Sequence, residues 1–242
     1  MTDAEAAATG RETWIDLWRT VGGSAASECD FRQLRHHTKN VLQQILLRLE
    51  HAHELKLTLR GSALLADLQR RILLSAQISD ALFGVTRAPA PMSERLRTLS
   101  ESTLRMLADA TQVIRLDVTV EGDCPEALRQ SVLRVAHEFV GNAVKHGMHA
   151  RITGWITVHL VTGSDGRTSL VVSDDGWGFR GEPDAGDGLR IADDLAASAG
   201  GTIRLVRTNV TMAKLELPSP LDQRGFRDRR AGPEFGVTGK QE

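Results

Sequence analysis

Hydrophobic residues in the first third of the chain recur at the three- and four-residue spacing of amphipathic helices. One helical face near the N-terminus carries Trp14, Leu17, Trp18 and Val21. Two longer helices are predicted next, at about Cys29–Leu57 and Ser62–Phe83. Gly61 can end the first of them and Ser62 can cap the second. A connection this short joins antiparallel neighbours, so we expect a helical hairpin.

A proline-containing link at Arg87–Pro91 interrupts the helical pattern and predicts a domain boundary. Beyond it, helical and alternating patterns are mixed. The predicted elements are a helix at Ser93–Ala110, a strand at Val113–Val120, a helix at Pro125–His146, strands at Trp155–Val161 and Thr168–Ser173, a helix at Leu189–Ala199, and strands at Thr202–Val206 and Val210–Leu217. The two middle strands flank a Gly-rich turn and predict a β-hairpin. Helices combined with mostly antiparallel strands predict a layered α+β domain.

The chain therefore divides into four predicted parts. Residues 1–26 form an N-terminal segment with a short amphipathic helix, and residues 27–86 form the helical-hairpin domain. Residues 93–218 form the α+β domain. Residues 219–242 are rich in Pro, Gly, Arg and Asp without periodicity, so we expect this tail to be disordered.

Composition narrows the function classes. With 41% hydrophobic and 25% charged residues among 242, the chain is typical of a folded, water-soluble protein. A net charge of −1 provides no general field for nucleic acid or for an acidic membrane. No apolar run approaches the roughly 18 residues of a membrane span, and no signal peptide precedes the first helix, so we expect a cytoplasmic protein. Cys29 and Cys124 lack metal-site spacing and are expected to be buried thiols.

Polar residues converge on one side of the helix predicted to end at His146. At 100° per residue, Glu138, Asn142, Lys145 and His146 fall within an arc of about 100°. Val132, Ala136, Phe139 and Ala143 cluster on a different side. An amide oxygen and a carboxylate one turn apart can hold a hydrated Mg²⁺ and orient a nucleophile, and a lysine can contact phosphate oxygens. A solvated face of an amphipathic helix would show the same pattern.

Two glycine-containing segments follow. Asp174 ends a predicted buried strand, where its carboxylate could accept a hydrogen bond from an adenine amino group, and Gly176 and Gly178 would let a ligand approach the backbone. Gly186 and Gly188 open the next helix, where free amides could meet phosphate. Each segment taken alone could also be a plain turn.

The order of these three segments resembles the N, G1 and G2 boxes of the Bergerat (GHKL) ATPase fold, which histidine kinases share with type II topoisomerases. The resemblance covers residues 93–217. It implies an α/β-sandwich ATPase domain in which Asn142 chelates Mg²⁺, Glu138 polarises the nucleophile and Asp174 binds adenine. The implied nucleotide pocket also includes Gly176, Gly178, Gly186, Gly188, Leu189, Lys145 and His146. The family's Gly-Thr signature before the last strand is replaced here by Asn209-Val-Thr211.

The upstream hairpin contains Leu34-Arg-His-His-Thr-Lys-Asn40, which looks like the phosphoacceptor box of the HRxxN class of sensor histidine kinases (HWE/HisKA2-like). The resemblance implies that His36 is phosphorylated and that Asn40 is the class asparagine of the catalytic set. Helical geometry agrees, because His36 points about 170° away from the centre of the helix's apolar stripe and His37 about 90°. Hairpins of this family usually pair into four-helix bundles, so we expect a homodimer, with a monomer as the alternative state.

These resemblances predict a soluble histidine kinase that uses ATP and Mg²⁺ to phosphorylate His36 and passes the phosphoryl group to an aspartate of a response-regulator receiver domain. The input would come from a separate sensor protein, and no nucleic acid or membrane span is expected. One alternative is a non-catalytic phosphotransfer or scaffold protein with a degenerate ATPase domain. Another is an anti-sigma-type serine kinase or partner-switching binder, which uses the same ATPase fold without a phosphoacceptor hairpin.

Overall fold

A computed structural model describes residues 45, 49, 57–84, 90–178 and 187–220 of the chain. The elements in chain order are α1 (Leu59–Phe83), α2 (Met92–Leu107), β1 (Val113–Glu121), α3 (Glu126–Asn142), a π-helical turn (Ala143–Gly147), β2 (Thr153–Thr162), β3 (Thr168–Asp174), α4 (Asp187–Ser198), β4 (Thr202–Arg207) and β5 (Thr211–Leu217). The predicted α+β class is confirmed, and the predicted strands match within two residues at each end.

The five strands form one mixed sheet in the order β1-β2-β3-β5-β4. β1 and β2 are parallel, and the other three neighbouring pairs are antiparallel. The parallel pair is joined through α3, as a crossover connection requires. The predicted hairpin of β2 and β3 is confirmed. The register places Asp174, the last residue of β3, opposite Ile156 of β2 and Thr211 of β5.

One face of the sheet is buried beneath α2, α3 and α4. On β2, Ile156, Val158 and Leu160 are buried, whereas the residues between them are only half-buried. This alternation follows from the two-residue period of a strand. The helix α3 lies at the centre of this layer and buries Leu128, Val132, Leu133, Val135, Ala136, Phe139 and Val140. The core therefore holds the polar side of α3 in a fixed position relative to the ends of the strands.

The start of α1 differs from the prediction. The helix begins at Leu59, and the Thr58 hydroxyl accepts a hydrogen bond from the Gly61 amide at 3.0 Å. Gly61 and Ser62 therefore lie inside the first turn of α1, and the predicted Ser62 cap is wrong. A threonine hydroxyl three residues before Gly61 satisfies an amide that the helix itself leaves unpaired, which moves the cap upstream.

The chain divides into two compact units, Met1–Gln69 and Arg70–Glu242. Within the second unit, α2 holds the C-terminus of α1. The guanidinium of Arg95 donates to the carbonyl oxygens of Ala81 and Leu82, each at 3.0 Å. Gly84 follows in the left-handed conformation with φ of 63°, which is typical of a helix C-terminus. A cation on the last carbonyls is also favourable to the helix dipole.

Replacing Arg95 with glutamine is expected to lower the free energy of unfolding by about 1–2 kcal/mol, because two charge-assisted hydrogen bonds to helix-end carbonyls are lost. Urea denaturation followed by circular dichroism measures this change. Arg105→Gln is the matched control, since the Arg105 side chain is 68% exposed and lies 3.9 Å from Glu101. An exposed pair of this kind contributes little. Equal effects of the two substitutions would contradict the capping role of Arg95.

Several predictions fall on residues outside the described ranges. They are the N-terminal amphipathic helix, the phosphoacceptor box with His36 and Asn40, residue Gly186, Cys29, most of the first hairpin helix and most of the tail. The predicted domain limits stay predictions. Cys124 is buried, as expected. Among the helices of the described ranges, none combines the length and apolarity needed to cross a bilayer.

Candidate functional site

The C-terminal end of α3 presents the predicted polar side. Glu138 and Asn142 lie one turn apart and are half-buried, while Phe139 and Ala143 are buried in the core. Burial raises the pKa of the Glu138 carboxyl, and the nearby Lys145 and Arg134 oppose this shift. A half-buried carboxylate with a raised pKa is a better proton acceptor than an exposed one.

The helix does not continue to His146 as an α-helix, and this part of the prediction is wrong. After Asn142 the backbone widens into the π-helical turn, in which the Met148 amide donates to the Ala143 carbonyl oxygen at 2.9 Å. Lys145 and His146 are exposed on this turn. Wide turns of this kind are frequent at functional sites. The wider turn places Gly147 against the loop that follows β3.

The loop that follows β3 crosses the π-helical turn so closely that the space between the two backbones holds no side chain. The Trp177 amide donates to the Gly147 carbonyl oxygen at 3.0 Å. A Cβ on Gly176 would collide with the backbone of Gly147, and a Cβ on Gly147 would collide with the Asp174 carboxylate. Gly176 therefore has no room for a side chain, and a side chain at position 147 would displace the Asp174 carboxylate. The tight crossing joins the predicted N and G1 boxes, which lie about 30 residues apart in the sequence.

Asp174 is the buried acidic residue of the site, with 4% of its surface exposed. Its Oδ1 accepts a hydrogen bond from the Gly176 amide at 2.9 Å. Burial raises the pKa of Asp174 to about 6, and the neighbouring charge of Asp175 adds to this, whereas the Gly176 amide and Arg151 lower it. Its protonation state therefore changes within one or two pH units of neutrality.

Thr211 is a site residue that the sequence reasoning missed. It pairs with Asp174 in the β3–β5 register, and its Oγ1 is buried without a hydrogen-bond partner. A Cβ on Gly178 would lie 2.6 Å from this oxygen. A buried hydroxyl without a partner is costly unless a ligand or water completes it. The segment Asn209-Val-Thr211 departs from the Gly-Thr signature, yet it supplies a threonine at this position.

The start of α4 lies beside Glu138. A Cβ on Gly188 would stand 2.5 Å from the Glu138 Oε2 atom, so the predicted N and G2 boxes meet at this point. Leu189 is half-buried and packs against the core, which fixes the first turn of α4. The unpaired amides of a helix N-terminus favour an anion. Glu138 and the N-terminus of α4 thus lie on the same side of the candidate site.

The structure therefore assembles most of the predicted residues into two adjoining groups. One group holds the buried Asp174 carboxylate with Gly176 and Gly178, and the other holds Glu138, Asn142 and Gly188 at the helix ends. The arrangement fits a nucleotide, because a buried carboxylate and an unpartnered hydroxyl suit a base and the helix ends suit phosphates. Within the described ranges, no group of three or more His, Cys, Asp or Glu side chains could hold a metal ion.

Two solved structures share this fold. The histidine kinase domain of the blue-light activated histidine kinase EL346 from Erythrobacter litoralis matches with a TM-score of 0.51 and 18% identity, over 74% of this chain and 95% of that domain. The longer EL346 chain matches with a TM-score of 0.52 and 17% identity, over 83% of this chain and 63% of that one. No family model and no curated protein matches the sequence. The resemblance to histidine kinases is confirmed at the level of the fold, which is that of a histidine kinase domain.

Proposed function

We propose that this protein is a histidine kinase that binds ATP with Mg²⁺ at the site described above and autophosphorylates on His36. The observation that carries the proposal is the buried Asp174 carboxylate beside the unpartnered Thr211 hydroxyl, next to the glycines of the loop that follows β3. A buried acceptor next to a buried hydroxyl is suited to the edge of an adenine ring, which offers both a donor and an acceptor.

The base and the phosphates would occupy different parts of the site. Asp174 accepts a hydrogen bond from the adenine amino group, and Gly176 and Gly178 line the base. The phosphates lie toward the end of α3 and the start of α4, where Lys145 and the first amides of α4 meet them. His146, Gly186, Gly188 and Leu189 complete this nucleotide-binding set.

Asn142 would hold Mg²⁺ through its amide oxygen. Magnesium in nucleotide sites takes only one or two protein oxygens, and the rest come from phosphates and water. When bound, the ion neutralises charge on the phosphate oxygens.

The reaction would transfer the γ-phosphoryl group to a ring nitrogen of His36. The bond from the γ-phosphorus to its bridging oxygen breaks, and ADP leaves with that electron pair. Glu138 takes the proton from the other ring nitrogen, for which its raised pKa suits it. Asn40 would belong to the same catalytic set. An aspartate of a response-regulator receiver domain would then accept the phosphoryl group, and two copies of the chain would pair through the hairpin.

The test is incubation of the purified protein with γ-labelled ATP and Mg²⁺, followed by acid and alkali treatment. We expect label that acid removes and alkali leaves in place, as for a phosphorus–nitrogen bond. Acid-stable label would overturn the proposal in favour of a serine kinase. Label accepted only from a phosphorylated receiver domain, and not from ATP, would favour the phosphotransfer alternative.

Glu138→Gln should slow labelling about 100-fold if this residue is the base.

A further inference from the structure

A short segment between the π-helical turn and β2 reaches the loop that follows Asp174. From this segment the guanidinium of Arg151 donates to the backbone carbonyl oxygen of Asp175, and also to the Asp175 Oδ2 atom at 3.1 Å. A third bond runs to the Thr153 carbonyl oxygen at 3.2 Å. Both side chains of the ion pair are 26% exposed, so solvent and salt screen this pair less than a surface pair.

The Asp175 carboxylate extends the sheet by one position. Pairing between β2 and β3 ends at Ile156 and Asp174. One residue farther, the Asp175 Oδ1 atom accepts a hydrogen bond from the Trp155 amide at 2.8 Å. The Asp175 side chain thus accepts the Trp155 amide, which a backbone carbonyl oxygen would accept within the strand pairing. The loop after β3 is consequently hydrogen-bonded to Trp155 of β2 on one side and to Arg151 on the other.

The Arg151 backbone is itself firmly held. Gln112 donates to the carbonyl oxygens of Met148 at 2.7 Å and of Arg151 at 2.8 Å. Ala150 adopts a φ of 55°, a left-handed conformation that costs a non-glycine residue energy. Such strain persists where surrounding contacts dictate the backbone, and it is concentrated at functional sites. The Arg151 guanidinium also lies 5.9 Å from the centre of the Trp177 ring, within reach of a cation–π contact.

We propose that Arg151 is a positioning residue of the nucleotide site, which acts through Asp175 to hold the loop at residues 174–178 in the conformation that accepts the base. This inference rests on the proposed function and adds a residue to it. The loop has further attachments: the Asp175 amide donates to the Trp155 carbonyl oxygen at 3.4 Å, the Trp177 amide to Gly147 and the Gly176 amide to Asp174. All of them depend on the position of Asp175, because it is the first residue after the strand.

Arg151 and Asp175 also act on the charge of Asp174 in opposite directions. Asp175 favours the protonated form of Asp174 and Arg151 favours the ionised form. The π-helical turn approaches Asp174 with Gly147, and β5 pairs with it through Thr211. Arg207, at the end of β4, lies farther along against Gly178. Substituting the two members of the ion pair should therefore shift the pH dependence of nucleotide binding in opposite directions.

The test compares Arg151→Gln, Arg151→Lys and Asp175→Asn by calorimetric titration with Mg²⁺-ATP between about pH 5 and pH 8. We expect Arg151→Gln to weaken binding about tenfold at neutral pH and to move the acid-side loss of affinity to higher pH. Arg151→Lys keeps the charge without the forked geometry, so the weakening should remain and the pH profile should not move. Asp175→Asn should move the acid-side loss to lower pH.

Amide hydrogen exchange of the same variants without nucleotide tests the positioning step separately. Arg151→Gln should speed amide exchange at Gly176 and Trp177. Arg105→Gln, which replaces an exposed arginine near the end of α2, should leave exchange at these two amides unchanged. Unchanged exchange, unchanged ATP affinity, or pH shifts of the same sign in Arg151→Gln and Asp175→Asn would each overturn the inference. A wild-type protein that does not bind ATP would instead overturn the proposed function itself. Melting temperatures identify any variant that fails to fold, and Arg151→Lys then carries the comparison.

Discussion

Replacing Asp174 with asparagine is expected to weaken ATP binding about 100-fold, equivalent to about 2.7 kcal/mol. The Asp174 carboxylate is buried and can only accept hydrogen bonds when ionised. An asparagine amide can keep the bond from Gly176 through its oxygen, but it then turns an NH₂ group toward the adenine amino group. Two donors would face each other in a buried position, and both would lose partners. Isothermal titration calorimetry with Mg²⁺-ATP measures the change.

The same residue predicts how ATP affinity depends on pH. The pKa of Asp174 is raised to about 6 by burial, so the ionised acceptor predominates at neutral pH and is lost as the pH falls through about 6. ATP affinity should fall over that range in the wild type. The contribution of Asp174 to the stability of the unliganded protein changes with pH in the opposite direction. Because the folded-state pKa exceeds the unfolded one, the contribution of Asp174 is fully present below about pH 4 and is lost as the pH rises through about 6.

Asp174→Asn removes this buried charge, so the unliganded variant should melt no lower than the wild type near neutral pH. That result would show that the loss of binding is not a loss of folding. Asp117→Asn, on the exposed face of β1, is the matched control and should change neither property. Unchanged ATP affinity in Asp174→Asn, with normal binding by the wild type, would count against the adenine assignment.

Replacing His36 with glutamine is expected to abolish acid-labile phosphorylation. Glutamine keeps the polarity of the position but has no ring nitrogen that can attack phosphorus. His36 points away from the apolar stripe of its predicted helix, so the fold should be preserved. The measurement is incorporation of label from γ-labelled ATP, with circular dichroism as the check on folding.

His37→Gln is the matched control, because it makes the same chemical change one residue along the helix. We expect this variant to keep its label. Loss of label in His37→Gln with retention in His36→Gln would show that the helical register is shifted by one residue. Label in both variants would place the acceptor elsewhere in the chain. Neither result would affect the nucleotide site, which Asp174→Asn tests on its own.

Strands and helices of the α+β domain could be predicted from the sequence because their signals are local. The alternation in β2 and the apolar side of α3 each follow from burial on one side of an element, which repeats at two residues in a strand and at about 3.6 in a helix. Helix ends were less predictable. The Thr58 cap moved the start of α1 upstream of Gly61, and the π-helical turn ended α3 at Asn142, although the residues around both continue an acceptable helical pattern.

The sequence by itself determined which chemical groups are available and in what order: Glu138 and Asn142 one turn apart, Asp174 at a strand end, and glycines beside it. Only the tertiary structure decided which of them meet. Three contacts join residues that are far apart in the chain or on different elements. They are the pairing of Thr211 with Asp174, the approach of Gly188 to Glu138 and the ion pair of Arg151 with Asp175. Periodicity reports the burial of a residue within its own element, and it carries no information on strand order or on the depth at which two elements cross. Those are set by packing of the whole core, so the closest contacts of the site could be found only in the folded structure.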